Sequence, residues 1–336
     1  MIPLARSMGL RNPARYSLYV MAVVAGGVMA HSLVPPTPGP LFVAGELGVN
    51  LGLMIMGGIV VGVITSFSGY LYAVWANRRW PVPVRESEET PLAELKALAE
   101  KDASALPGFA LSILPIALPV LLIAGDTLLK ANLGKSTELS AFSQGLLDTF
   151  SLLGNSNIAL IISAAVALLI LMQQIGRREE VKAAIGSALS SAGLIILIIG
   201  AGGAFGSMLQ QTGVGVRIME MATTYQVAVL PLAFFVTALI RTAQGSATVA
   251  MITAMGMLSS LGDASALGFH PLYLALAVGC GSKPIPWMND SGFWVICKMS
   301  GLTEAEMIKN VSVMMTIMGL VGLLVTMLGA SLFPMT

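Results

Sequence analysis

The spacing of charged residues is the feature that most constrains what this chain can fold into. A helix needs about 20 apolar residues to cross the hydrocarbon core of a bilayer, so long stretches without Asp, Glu, Lys or Arg are candidate membrane segments. The pattern predicts nine or ten such segments, some of them partial. The charge-free stretches are residues 16–45, 47–77, 103–125, 149–176, 183–216, 221–240, 242–262, 264–282 and 310–336.

Composition agrees with a membrane protein and excludes several other classes. Hydrophobic residues make up 56% of the 336 residues and charged residues only 10%, against about 25% charged in soluble domains. A net charge of +1 supplies no basic face for a nucleic-acid partner, and two Cys exclude a disulfide framework. Only two His accompany the 21 Met, so we expect no metal site and no cofactor. The predicted fold class is therefore an all-α, polytopic membrane protein.

Basic residues in the short loops indicate how the chain is oriented in the membrane. They occur between positions 78 and 85 and again between 177 and 182, and the positive-inside rule places both loops in the cytoplasm. In the polar segment 77–107, Thr90 can cap a helix that begins at Pro91 and lies along the cytoplasmic interface. We expect residues 1–336 to form a single transporter domain in the lipid bilayer, with this segment as its cytoplasmic loop.

Two apolar stretches are interrupted by proline and glycine. Residues 31–40 have the sequence HSLVPPTPGP, and residues 279–292 have the sequence GCGSKPIPWMNDSG. Proline removes a backbone donor and clashes with the preceding turn, so neither stretch can continue as a helix. Irregular backbone at membrane depth must be buried in protein or line a watered cavity. Paired interruptions of this kind indicate an inverted-repeat transporter, with the substrate held between broken helices.

A third polar element lies between two short apolar windows. Residues 241–250 have the sequence RTAQGSATVA, which predicts a re-entrant hairpin with its tip near 245–247. Glycine allows close backbone approach there, and Ser246 and Thr248 leave hydroxyl groups for a ligand. Arg241 can pair with an anionic substrate, or it can be a helix-end arginine that extends to the interface.

Two ionisable side chains near the interruptions also have more than one interpretation. Asp290 can be a proton carrier or the partner of Lys283, or it can simply cap the helix that follows it. His31 can take part in proton coupling, or it can bond a carbonyl freed by Pro35. The sequence leaves these alternatives open.

Five motifs in a fixed order carry a family resemblance. They are HSLVPPTPGP, PGF at 107–109, GAGGAFG at 200–206, RTAQGSATVA and NDSGFW. With them the chain resembles the gluconate/proton symporter (GntP) family over its whole length. The resemblance implies a secondary carrier of the bacterial inner membrane, with a dimeric fold of inverted repeats and re-entrant hairpins.

The resemblance also implies a substrate and ion site. It falls on residues 31–40, 245–248 and 289–292, and together with the charged residues nearby the candidate site residues are His31, Pro36, Thr37, Gly39, Arg241, Gly245, Ser246, Thr248, Lys283, Asn289, Asp290 and Ser291. The chain departs from the family in two ways. Its stretch GSKPIPWMND lacks the His that gluconate permeases carry just before the Asn-Asp pair. Family members also continue further at the N-terminus, so we expect the reading frame to extend upstream of Met1 and to encode further spans of about 20 residues.

The expected function is proton-coupled symport of gluconate or a related sugar acid or hydroxycarboxylate by a homodimer. Two alternatives remain. One is a sodium-coupled carboxylate carrier. The other is an intramembrane enzyme of the serine-protease kind, for which residues 154–157 (GNSN) and His270 are the only candidates in the sequence.

Overall fold

The computed structural model describes residues 2–86, 108–133, 141–175, 178–211, 229–258 and 268–335. These ranges are helical and contain no β-strand, which confirms the all-α prediction. The helices described are α1 (Ile2–Arg11), α2 (Tyr16–Leu33), α3 (Pro38–Glu46), α4 (Leu51–Arg79), α5 (Phe109–Leu133), α6 (Ala141–Leu153), α7 (Ser156–Ile175), α8 (Arg178–Gln211), α9 (Val229–Gln244), α10 (Ala247–Leu258), α11 (Pro271–Gly281), α12 (Ser291–Ser300), α13 (Glu304–Met307) and α14 (Val313–Leu332).

The chain divides into two compact units. The first comprises Met1–Val49, Gly57–Lys101 and Ile199–Thr336, and the second comprises Asn50–Met56 and Asp102–Ile198. The prediction of one transporter domain over residues 1–336 stays a prediction. The predicted cap at Thr90 and the helix that follows it lie outside the described residues.

Several helices are long and apolar enough to cross a membrane. In the described ranges there are five such candidate spans, and α9, α10 and α11 are shorter apolar helices. In the first unit, α4 exposes Val60, Val63, Phe67 and Leu71 on one face, each more than half exposed. Apolar side chains at this spacing form a continuous stripe, which is the expected surface against lipid. The five spans are Pro13–Glu46, Leu51–Arg79, Phe109–Asp126, Ser156–Gln173 and Glu304–Leu332.

The first predicted interruption is present as a short break between α2 and α3. Val34 precedes two prolines and has an extended backbone, as residues before proline do. Helix α3 begins with Pro38, because a proline in the first turn needs no hydrogen-bond donor. The hydroxyl of Thr37 donates to the Val34 carbonyl at 2.8 Å. The prediction of a broken helix here is confirmed.

The second predicted interruption, within residues 279–292, is present as residues 282–290, which separate α11 from α12. Asp290 caps α12, because its Oδ1 accepts from the Gly292 N–H at 2.8 Å. Ile285 has a φ of +50°, which is rare for a β-branched residue. Its N–H donates to Thr316 Oγ1 at 3.0 Å, which holds this part of the break against α14. This broken helix is also confirmed.

The hairpin between α9 and α10 has its tip at Gly245 and Ser246, as predicted. Gly245 has a φ of +81°. A Cβ at this position would lie 2.2 Å from the backbone oxygen of Asn289, so only glycine fits. Ser246 Oγ accepts from the Val249 N–H at 3.3 Å and caps the first turn of α10. The tip therefore packs directly on the end of the second break.

The two broken helices cross near their ends. The hydroxyl of Ser282 lies 3.0 Å from the hydroxyl of Ser32, to which it donates. At Gly279 a Cβ would lie 2.6 Å from the Ser32 carbonyl oxygen, so the absence of a side chain permits this approach. Helix α11 also packs against α9 and α14, and α3 packs against α10. The ends of the broken helices and the hairpin tip are thereby brought together.

The C-terminal end of α12 is held by three side chains from elsewhere in the first unit. Arg6, which is buried, donates to the carbonyl of residue 299. The Tyr16 hydroxyl donates to the carbonyl of residue 300, and Arg85 donates to the carbonyl of residue 301. Arg85 also forms a two-point ion pair with Glu306 at 2.6 and 2.8 Å. We call Arg6, Tyr16 and Arg85 the α12 clamp.

In the second unit, α5 packs against α6 and α7. Of residues 154–157, which the enzyme hypothesis would use, the first two connect α6 to α7 and the last two begin α7. Asn155 Oδ1 accepts from the Asn157 N–H at 3.1 Å, as expected for a helix start. His270, in the other unit, caps α11 by accepting from the Leu272 N–H at 3.1 Å. Both motifs therefore have structural roles.

Candidate functional site

A cavity of about 290 Å³ lies within the first unit, where the hairpin tip meets the broken helices. It has two chemically different walls. The polar wall is formed by His31, Arg241, Ser246, Thr248, Lys283, Asp290 and Ser291. The apolar wall is formed by Val28, Pro286, Phe293, Ile296, Met307, Val311 and Met315. Ala247 and Gly292 complete the lining.

An ion pair between Arg241 and Asp290 joins the end of α9 to the start of α12. Arg241 is 2% exposed, so it does not extend to the interface. Its Nε donates to the Ser282 carbonyl at 3.1 Å. Its Nη1 is buried and has no hydrogen-bond partner among the described residues. Buried polar groups are normally paired, so this Nη1 is a donor for which the described part of the chain supplies no acceptor.

Lys283 does not pair with Asp290, contrary to the interpretation offered by the sequence. It is 1% exposed, and its Nζ donates to the Val28 carbonyl at 3.0 Å. Asp290 is instead shared between the Gly292 N–H and Arg241, so it is both a helix cap and an ion-pair partner. The polar wall thus contains two basic groups and one carboxylate, a formal excess of one positive charge before His31 is counted.

His31 lies in the last turn of α2 and faces the hairpin. Its Nε2 lies 3.5 Å from Thr248 Oγ1. This contact connects the first broken helix to α10 across the polar wall.

Two helices begin at the cavity. The first residues of α10, Ala247 and Thr248, and the first residues of α12, Ser291 and Gly292, all line it. Backbone N–H groups at a helix N-terminus carry partial positive charge and favour anions. The site therefore combines excess basic side chains with two favourable helix ends, an arrangement suited to a small anion.

Five of the residues predicted for the site do not line the cavity. The Thr37 hydroxyl donates to a carbonyl within the first break. Gly39 packs against α10, where a Cβ would clash with the Met251 side chain. Asn289 donates to the carbonyls of residues 242 and 243, so it joins the second break to the end of α9. Pro36 and Gly245 shape the backbone of the first break and of the hairpin tip. The other seven predicted residues form the polar wall.

The apolar wall contains residues that the sequence did not indicate. Phe293 and Ile296 belong to α12. The other three are Met307 at the end of α13, Val311 in the turn that follows it and Met315 in α14. Residues 308–312 form a π-helical turn, whose Ser312 hydroxyl donates to the Pro286 carbonyl. Such turns often occur at functional sites and have no clear sequence signature.

Comparison with known proteins identifies the family. The family model described as GntP family permease matches residues 1–332. The chain belongs to the GntP permease family. The expected resemblance is thereby confirmed, and with the apolar helices described above the chain is a multi-pass membrane protein.

Curated relatives of this permease cover almost all of its length. It is 33% identical to the inner membrane permease YgbN of Escherichia coli strain K12, over 95% of this chain and 70% of that protein. It is 31% identical to the gluconate permease of Pseudomonas aeruginosa, over 98% of this chain and 70% of that protein. It is 29% identical to the low-affinity gluconate transporter of E. coli K12, over 99% of this chain and 72% of that protein. No solved structure matches the chain.

Proposed function

We propose that this permease carries a small hydroxylated carboxylate of the gluconate kind across the bacterial inner membrane. The observation that supports this most directly is buried Arg241, whose Nη1 has no acceptor in the described protein although the side chain lines a cavity. A carboxylate is the natural acceptor for such a guanidinium group. Relatives named gluconate permease and inner membrane permease support the substrate class and the location.

The remaining polar wall supports binding of a hydroxylated anion. The substrate carboxylate would lie near Arg241 and the N-termini of α10 and α12, where positive charge is concentrated. Lys283 would add a second positive charge to the same wall of the cavity. Hydroxyls next to the carboxylate would meet Ser246, Thr248 or Ser291, which can donate or accept.

We infer that the coupling ion is a proton. His31 and Asp290 line the same cavity as the proposed carboxylate site, and ionisable groups at membrane depth commonly belong to ion pathways. Sodium coupling is the competing hypothesis, and the gradient experiment below separates the two. We also propose, from the family, that the protein works as a homodimer and performs no enzymatic reaction.

The test is uptake of labelled gluconate into proteoliposomes that contain the purified protein. We expect uptake to accumulate with an inward proton gradient and to be unaffected by a sodium gradient. Arg241→Gln should abolish it, whereas Ser331→Ala, which alters an exposed hydroxyl at the end of α14, should leave it unchanged. Accumulation driven by sodium alone would contradict proton coupling. Absence of gradient-driven uptake of any hydroxycarboxylate would contradict the transport proposal.

A further inference from the structure

The apolar wall of the cavity is formed by side chains that suit methylene groups better than hydroxyl groups. Phe293, Met307, Val311 and Met315 are each 5% exposed or less, yet all four line the cavity. Ile296 extends the same surface along α12. These residues offer no side-chain donor or acceptor to a hydroxyl group, and methionine and phenylalanine contribute favourable contacts to methylene groups instead.

The polar wall, in contrast, keeps its free hydrogen-bonding groups around Arg241, Lys283 and the two helix N-termini. Asp290 already accepts from Arg241 and from the Gly292 N–H. Lys283 donates one of its three N–H groups to a backbone carbonyl, and Ser246 Oγ accepts from the Val249 N–H but keeps its own proton for a ligand. The groups that remain lie near Arg241, Lys283 and the two helix N-termini, so they serve the carboxylate end of a substrate. Hydroxyls further along the substrate would lie against the apolar wall.

We propose that this cavity selects a hydroxycarboxylate that is polar at the carboxylate end and apolar beyond it, in preference to a polyhydroxylated acid such as gluconate. The inference rests on the proposed function and narrows its substrate class. The physical reason is that a hydroxyl removed from water without a new partner is unfavourable, whereas a methylene group removed from water is favourable. Each distal hydroxyl of gluconate therefore weakens its binding relative to the same carbon chain without that hydroxyl.

The inference can be tested with two acids that share one carbon skeleton. Gluconate and 2-hydroxyhexanoate have the same six-carbon chain, carboxylate and C2 hydroxyl, and differ only in the four distal hydroxyls. Dissociation constants would be measured by equilibrium dialysis of the purified full chain in detergent, with empty micelles to subtract partition into detergent. We expect 2-hydroxyhexanoate to bind at least about tenfold more tightly than gluconate.

Matched valine and isoleucine variants locate the preference on the apolar wall. Val311→Thr and Ile296→Thr introduce a hydroxyl into the cavity from two different elements. Val313→Thr and Val295→Thr make the same kind of change at neighbouring positions that are exposed and do not line the cavity. The first pair should reduce the preference for 2-hydroxyhexanoate several-fold. The second pair should leave it unchanged, and either member of the first pair suffices if the other does not fold.

The outcomes separate the inference from the proposed function. Tighter binding of 2-hydroxyhexanoate that is reduced by either cavity variant supports the inference. Tighter binding of gluconate, together with gradient-driven gluconate uptake, overturns the inference and leaves the proposed function standing. A preference for 2-hydroxyhexanoate that neither cavity variant changes also overturns it, because the apolar wall is then not its source. If neither acid binds and no uptake occurs, the proposed function itself is wrong.

Discussion

The two broken helices are interrupted for the same reason but contribute differently to the site. In the first, residues 34–37 contain two prolines and no charged side chain, and none of them lines the cavity. In the second, residues 282–290 contain Lys283 and Asp290, and both line it. Proline opens the backbone in each case, but only the second break places charge where the backbone is open.

This difference shows that an interruption and a binding site are separate features of a broken helix. The first broken helix reaches the cavity through Val28 and His31, which precede its break. Its break sets the direction of α3, which packs on the hairpin. The second break is tied to its surroundings by Arg241 and by the Asn289 amide. Substitutions in the second break should therefore affect transport much more than substitutions in the first.

The largest effect is expected when the ion pair of the second break is removed. Arg241→Gln leaves the Asp290 carboxylate buried without its partner, which costs about 3–5 kcal/mol of unfolding free energy. Stability would be measured by detergent-induced unfolding in mixed micelles. The control is Lys182→Gln, which breaks the exposed pair with Glu179 and should cost about 1 kcal/mol or less. Equal losses for the two variants would contradict the importance assigned to the buried pair.

A smaller but clear effect is expected at the hairpin tip. Gly245→Ala forces a left-handed backbone on alanine, which costs about 1–2 kcal/mol, and it also pushes against the Asn289 backbone. We expect lower stability and slower uptake. The matched control is Gly26→Ala in α2, where a Cβ meets nothing within 4 Å. That change should stabilise the helix by about 0.5–1 kcal/mol. If Gly245→Ala lowered the free energy of unfolding no more than Gly26→Ala does, the hairpin tip would be packed more loosely than the structure shows.

The crossing of the two broken helices should contribute less. Ser32→Ala and Ser282→Ala each remove the hydrogen bond between the two hydroxyls, at a cost of about 0.5–1.5 kcal/mol. A double-mutant cycle should show coupling between the two positions, because the bond between the two hydroxyls is lost with the first substitution. The contact of Ser282 Oγ with the Gly279 carbonyl at 2.7 Å is lost equally in both backgrounds and does not affect the coupling. Strictly additive losses would mean that the two hydroxyls act independently. Unfolding in mixed micelles gives all three values.

The smallest effect is expected within the first break. Thr37→Val removes only a hydrogen bond inside the break and should cost about 1 kcal/mol or less. Gradient-driven uptake should be unchanged, since Thr37 does not line the cavity. A loss of uptake comparable with that of Arg241→Gln would erase the functional distinction between the two broken helices.

The breaks and the hairpin were predictable because proline and glycine act locally. Pro35, Pro284 and Gly245 each dictate backbone geometry from a few neighbouring residues, so the sequence alone indicated where the helices stop. The partner of Asp290 was not predictable in the same way. Lys283 is nearer in sequence than Arg241, but the pairing depends on how α9 and α12 approach each other in three dimensions.

The apolar wall was not predictable for a different reason. Val311 and Met315 lie in an apolar region that would have the same composition facing lipid, a protein core or a cavity. The π-helical turn that contains Val311 changes which side chains face inward, and local sequence does not specify such a turn. The polar half of the site could thus be identified from residue type, whereas the apolar half required the packed structure.

The α12 clamp couples movement at one end of α12 to movement at the other. One end of α12 is fastened to Arg241 through Asp290, and the other end is fastened to Arg6, Tyr16 and Arg85 through its last carbonyls. A short helix that is bonded at both ends moves as a rigid body, so a displacement of one end also displaces the other. We therefore expect a shift of Asp290 along the α12 axis to displace α1 and the start of α2, which contact the other end of this ten-residue helix.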